Sequence, residues 1–295
     1  MCIRDRHLGD HRRHRLDAIL RLASHRFLTN EMGNEPLIDI RNATIYRGNT
    51  RVFEDLTLRI EQREPAVILG PNGSGKTTLL KVITREIYPV HGDSSWVRIL
   101  GSEKWNVWDL RTHIGVVSHD LQTRYRPTTT GLHVVLSGFH SSIGIHGSLA
   151  SRITTDQKDR ARSIMIELGV DTLQRTPLSR MSTGQQRRCL LARALVHDPH
   201  TLILDEPTAG LDINASFDYL DRIRTLVADG RNIVLVTHLL NEIPPDIDRV
   251  ILLRQGTIVA DGHKDDVLTS EHLSQAYEIN VRVTRVGGYF LAYPP

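Results

Sequence analysis

Only two cysteines, Cys2 and Cys189, occur in the 295 residues. That is too few for a disulfide framework or a zinc-binding spacing, and it fits a reducing cytoplasm. Long apolar runs are missing as well. No stretch approaches the ~18 residues that a membrane helix needs, and Asn232 to Thr237 is a typical maximum, so membrane association would have to come through a partner. Excess charge is small too. The formal net charge is +3, and seven arginines against four acids before Met32 account for all of it. The balanced remainder offers no basic footprint, and no direct nucleic-acid partner is expected. With 40% hydrophobic and 24% charged residues, the composition is that of a folded globular protein. Its length allows one large or two small domains.

Residues 1–34 stand apart from the rest. Met1-Cys2-Ile3-Arg4-Asp5-Arg6 reads as a translated sequencing adaptor, with Met32 the natural initiator and 35–295 the folded domain. Leu16, Ile19, Leu20, Ala23 and Phe27 share one helical face, so a basic amphipathic helix at a membrane surface and an arginine-rich targeting peptide are the other readings.

What the chain does contain is a complete phosphate-binding loop, Gly70-Pro71-Asn72-Gly73-Ser74-Gly75-Lys76-Thr77. Glycines at 70, 73 and 75 let the backbone take positive φ and approach phosphate oxygens without a Cβ in the way. The successive N–H groups then form an anion nest backed by the dipole of the following helix. Lys76 is placed to reach the β- and γ-phosphates, and the Thr77 hydroxyl to ligate Mg²⁺. An apolar strand (Ala66 to Leu69) precedes the loop and a helical run through Ile83 follows it, as the motif requires. The chain is expected to bind a nucleoside triphosphate.

Two further segments narrow the chemistry. Thr201-Leu202-Ile203-Leu204-Asp205-Glu206-Pro207 is an apolar strand that ends in two acids and is stopped by proline. Asp205 suits the water shell of Mg²⁺, and Glu206, one residue further on, can face a water attacking the γ-phosphate. Upstream, Ser182 followed by Gln185 has the form of a capping box, making Ser182 the N-cap of a helix through Leu190, Leu191, Ala194 and Leu195. That helix would present free N–H groups to an anion.

Together these segments resemble the ATP-binding cassette ATPases, the motor subunits of ABC transporters, over roughly residues 35–280. Gly70 to Thr78 matches the family's Walker A motif, and Leu202 to Asp205 its Walker B motif, with Glu206 at the general-base position. Met181-Ser182-Thr183-Gly184-Gln185 matches the signature usually written Leu-Ser-Gly-Gly-Gln, with Thr183 in place of the first glycine. Ala209-Gly210-Leu211-Asp212 matches the D-loop, His238 the switch histidine, and Tyr46 the aromatic that stacks on adenine. The resemblance implies ATP contacts by Tyr46, by Gly70 to Thr78 (Thr78 included), and by Ser182, Gly184, Gln185 and Asp212. Lys76, Glu206 and His238 would be the catalytic residues. Thr77 and Asp205 would serve Mg²⁺, joined by the Q-loop glutamine. In this chain His119 occupies the expected Q-loop position and Gln122 lies one helical turn later, so either could serve.

The fold implied is an α/β P-loop core of the RecA type with an antiparallel β subdomain and an inserted helical subdomain at about 120–185. Alternation from Leu37 to Ile60 supports antiparallel strands. Short apolar runs at Val67–Leu69, Leu202–Leu204 and Asn232–Val236 support a parallel sheet. Helical patterning marks Asp156–Leu168, further strands Val250–Leu253 and Thr257–Ala260, and a closing helix 270–277. The family's working form is a head-to-tail dimer in which one subunit's signature helix covers the other's nucleotide. The expected role is the ATP-hydrolysing subunit of a membrane transporter, cytoplasmic and peripheral on the inner face, with a second cassette and a permease as partners. The alternative is a soluble, permease-free cassette of the repair or molybdate-related type. The segments 134–138 and 266–273 are similar to cassettes of metal, siderophore or molybdate uptake systems.

Overall fold

A computed structural model describes residues 35–295; the readings made for 1–34 lie outside the described residues. Three strands form an antiparallel sheet in the order β2-β1-β4: β1 (Ile38–Arg47), β2 (Thr50–Ile60) and β4 (Trp96–Ile99). The larger sheet has the order β5-β6-β7-β3-β8-β9. Its strands are β3 (Ala66–Leu69), β5 (Ile114–Val117), β6 (Thr201–Asp205), β7 (Asn232–Thr237), β8 (Arg249–Arg254) and β9 (Thr257–His263). All neighbours in it run parallel except the β8–β9 pair.

The inner strands β3, β6 and β7 of the large sheet are buried on both faces, which is why they read as unbroken apolar runs rather than alternating ones. Side chains of period two are shared between two cores. Val67, Leu69, Leu202, Leu204, Ile233 and Leu235 pack on one side. There they meet helices α6 (Thr155–Glu167), α7 (Thr183–Ala194) and α8 (Ile213–Ala228). Ala66, Ile68, Ile203, Val234 and Val236 pack on the other, against α1 (Lys76–Ile83) and the inner face of the antiparallel sheet.

Helix α2 (Val107–His113) precedes β5, and between β5 and α7 come the helices α3 (His119–Thr123), α4 (Gly131–Ser137), α5 (Ser148–Arg152) and α6, with no strand. After β9 the chain makes α9 (Lys264–Val267) and α10 (Ser270–Tyr277). The helix expected at 270–277 therefore exists, but it does not close the chain. A hairpin, β10 (Arg282–Val286) and β11 (Tyr289–Tyr293), follows it and turns at Gly287-Gly288, both with positive φ. Two adjacent glycines flanked by β-formers are the ordinary signal for such a turn. Among the described residues no helix is long and apolar enough to cross a membrane.

Candidate functional site

The registers Leu69↔Thr237 and Asp205↔Val236 bring the carboxyl ends of β3, β7 and β6 side by side. The segments leaving those ends carry the phosphate-loop, switch and acidic residues, so three stretches distant in sequence meet at one sheet edge. Open α/β sheets bind ligands at such an edge.

The phosphate loop is shaped by what surrounds it. Gly75 has φ +109°, and a Cβ there would stand 2.6 Å from Cζ of Phe53 on β2. A Cβ at Gly70 would stand 2.3 Å from the Leu253 carbonyl oxygen of β8. Lys76 opens α1, and its buried Nζ donates to the carbonyls of Gly70 (2.7 Å) and Pro71 (3.0 Å). Burial lowers its pKa, against the attraction of Glu206 and Asp205. Ser74 Oγ is buried without a hydrogen-bond partner among the described residues, while the Thr77 side chain is exposed. A glycine-lined cradle with an unused hydroxyl and an ammonium at its base fits the phosphates of ATP.

At the end of β6, Glu206 sits at φ +46°, an unusual conformation for a residue with a side chain, and its N–H donates to Val236 O (2.8 Å). Such strain persists only where the surroundings enforce it. Here the turn aims the carboxylate at His238, whose Nδ1 lies 2.9 Å from Glu206 Oε1. Both side chains remain about a third exposed, at 32% and 30%, so water can reach the pair. Asp205, one residue earlier, is pushed up to about 6, first by burial and then by Glu206, with Lys76 and Arg187 opposing. A half-buried acid this reluctant to ionise among its neighbours suits a site completed by a cation. Thr77 and Asp205 supply a hydroxyl and a carboxylate, the donor chemistry that Mg²⁺ takes when it shares a site with phosphates.

The signature lies at the start of α7. The capping box forms as its sequence indicates: Ser182 Oγ accepts from Gln185 N (3.2 Å), and Gln185 Oε1 accepts from Ser182 N (3.0 Å). Ser182 and Thr183 are exposed, and Gly184 packs near Ala215 of α8. Asp212 caps α8 by accepting from Ala215 N (2.8 Å). Tyr46 is 41% exposed near the end of β1. Of the Q-loop candidates, His119 begins α3, and Gln122 donates through Nε2 to Gln186 Oε1 (2.8 Å), so its amide is engaged with the signature helix.

Three residues enter this neighbourhood that sequence reasoning passed over. Asp120, between the two Q-loop candidates, lies close enough to Asp205 to add to the rise in its pKa. Arg187 of α7 is fully buried, and the attraction of Asp205, Glu206 and Glu242 partly opposes the lowering of its pKa by burial. Glu242, only 2% exposed, accepts hydrogen bonds from Thr208 Oγ1 and Thr237 Oγ1, joining the segment after Glu206 to the one before His238. An acid between Leu240 and Ile243 was the available signal for Glu242.

Fold and site thus define a P-loop ATPase of the RecA-like class. Residues 53–209 match the protein-family model described as ABC transporter. The uncharacterized ABC transporter ATP-binding protein YlmA of Bacillus subtilis (strain 168) is 32% identical over 253 residues, covering 84% of this chain and 93% of that protein. The ABC transporter ATP-binding protein ModF of Escherichia coli (strain K12) is 38% identical over 185 residues, covering 61% of this chain and 36% of that protein. Among solved structures, an ATP-binding cassette of an ABC transporter in its ADP conformation superposes with a TM-score of 0.67 at 22% identity, covering 82% of this chain and 97% of that one. The chain belongs to the ABC transporter family as an ATP-binding cassette, and it hydrolyses ATP with Mg²⁺.

Proposed function

We propose that this cassette works as a head-to-tail pair of identical subunits, docked on a transmembrane permease at the inner face of the cell membrane. One observation carries the reading. Ser182 and Thr183 stand exposed at the open N-terminus of α7, while in the phosphate loop of the same chain Ser74, Gly75 and Lys76 are buried and the Lys76 ammonium is internally braced. An exposed helix N-terminus with unpaired N–H groups suits a phosphate brought by a second copy.

In this reading the backbone from Gly70 to Thr78 cradles the phosphates, Lys76 neutralises charge on the β- and γ-phosphates, and Tyr46 stacks on adenine. Bound Mg²⁺ would supply charge neutralisation at the β- and γ-phosphate oxygens, held by Thr77 and Asp205. Glu206 accepts the proton of the attacking water. His238 pairs through Nδ1 with Glu206, and with a proton on both ring nitrogens its Nε2 donates to the γ-phosphate, so one ring orients both base and substrate. Ser182 and Gly184 of the second copy donate to the γ-phosphate and exclude bulk water, and Asp212 lies at the seam. Closing on ATP and opening after hydrolysis would give the permease its two states.

Glu206→Gln tests this directly. The variant should bind ATP like the parent, lose about 100-fold or more in turnover, and reach dimer mass in light scattering only when ATP is present. A monomer under saturating ATP would remove the pair from the reading. Turnover above about a tenth of the parent's would remove Glu206 from the base role. Purified in detergent from its native membranes with ATP, the trapped variant should carry a polytopic membrane protein; a bare homodimer would favour a permease-free cassette.

A further inference from the structure

The loop that carries His238 is fastened from a part of the chain that no cassette motif covers. Tyr277, the last residue of α10, donates its hydroxyl hydrogen bond to the main-chain carbonyl of His238 (2.9 Å). The other end of the same peptide unit is also held, because Leu239 N donates to Thr237 Oγ1 (3.0 Å). Thr237 Oγ1 in turn donates to the buried carboxylate of Glu242. The peptide between His238 and Leu239 is therefore clamped at both its oxygen and its nitrogen, one clamp being local and the other coming from 39 residues along the chain.

That peptide matters because rotating it moves the Cα of His238, from which the imidazole reaches Glu206. A shift of about 1 Å at a positioned catalytic group is costly even when nothing else changes. The Tyr277 hydroxyl suits the task. Burial raises its pKa above the ordinary tyrosine value, so it stays protonated and remains a donor at any working pH. Its ring packs against the core that holds the apolar side of the large sheet, and the hairpin that follows α10 adds Phe290 to that core. The clamp is thus anchored to rigid structure rather than to a loose tail.

We infer that Tyr277 is a positioning residue for the switch histidine, through which the C-terminal helix and hairpin set the aim of His238 at Glu206 and the γ-phosphate. The inference rests on the role given to His238 above. Tyr277→Phe keeps the ring and its packing and removes only the hydroxyl, so the variant should melt within a few degrees of the parent. Its kcat should fall about 3- to 10-fold with the KM for ATP unchanged, the effect expected of one lost hydrogen bond that acts on the transition state alone.

A double-mutant cycle with His238→Ala separates positioning from mere structure. Once the imidazole is gone there is nothing left to aim, so adding Tyr277→Phe to His238→Ala should cost nothing further. An equal loss in both backgrounds would overturn the inference, and so would an unchanged kcat in Tyr277→Phe. If His238→Ala alone keeps full activity, it is the role of His238 that fails, a result that Tyr277→Phe by itself would not produce.

Discussion

The phosphate loop and the signature helix are both anion-facing helix N-termini, yet they are built in opposite ways. Around Lys76 the chain satisfies itself: two carbonyls take the ammonium, Phe53 fills the space under Gly75, and Ser74 to Lys76 are buried. Around Ser182 the chain satisfies only the cap, and Ser182 and Thr183 lie open to solvent. A brace is needed where a backbone must hold positive φ beside packed side chains. An exposed end needs only a cap until something arrives to cover it. The contrast suggests two half-sites of different kinds, one finished on folding and one finished on assembly.

The largest expected effect would break the comparison outright. Lys76→Ala should abolish turnover, losing at least about 100-fold, because its half-site no longer neutralises phosphate charge. Ser182→Arg should lose turnover to a similar degree while a free chain still binds ATP, since the damaged end belongs to the other half-site. Mixing the two dead proteins is the sharper measurement. In a head-to-tail pair, half of the random dimers would be mixed, and each mixed dimer would have one intact composite site. Activity should return to about a quarter of the parent's specific rate. Mixtures that stay dead would place both defects in one half-site and end the two-copy reading.

Much of the finished half-site was legible in the sequence, because the glycines at 70, 73 and 75 answer to local backbone demands and Lys76 and Thr77 follow at fixed spacing. The capping box at Ser182 was legible for the same reason: its hydrogen bonds span three residues. The braces were not. Phe53 under Gly75, Glu242 between Thr208 and Thr237, and Tyr277 on His238 are contacts between distant segments, and periodicity does not reveal which buried side chain meets which. The same limit hid Arg187, which reads as one more charge in a basic helix and is in fact fully buried among acids. The hairpin at 282–293 was a different matter, since Gly287-Gly288 between β-formers marks it locally.

A smaller effect tests whether bracing itself is the difference. Gly75→Ala must displace the Phe53 ring and hold a Cβ at φ +109°. It should destabilise the nucleotide-free protein by about 2 kcal/mol and lower the melting temperature accordingly. Thr183→Gly, at the exposed signature, should leave the melting temperature within about 2 °C of the parent, because no packing is lost there. If both changes melt alike, the two half-sites do not differ in bracing.

The smallest effect has the opposite sign. Asp205 is pushed up to about 6, above its ordinary 3.8, chiefly by burial and then by Glu206. The folded, nucleotide-free protein therefore holds this proton more tightly than the unfolded chain does. Its contribution to stability is complete below about pH 4 and is lost as pH rises through about 6. Asp205→Asn removes the ionisation, so near neutral pH it should stabilise the nucleotide-free protein by about 1 kcal/mol, a figure reduced for the group's partial exposure. The gain should shrink towards pH 4, where the parent is itself protonated. Turnover should be lost at every pH, because an amide cannot replace the carboxylate beside Mg²⁺. Melting curves at pH 4.5 and 7.5 decide it. A variant less stable than the parent at pH 7.5 would mean that the attraction of Lys76 and Arg187 for Asp205 outweighs its burial beside Glu206, and the finished half-site would then carry no strain from its acids before nucleotide arrives.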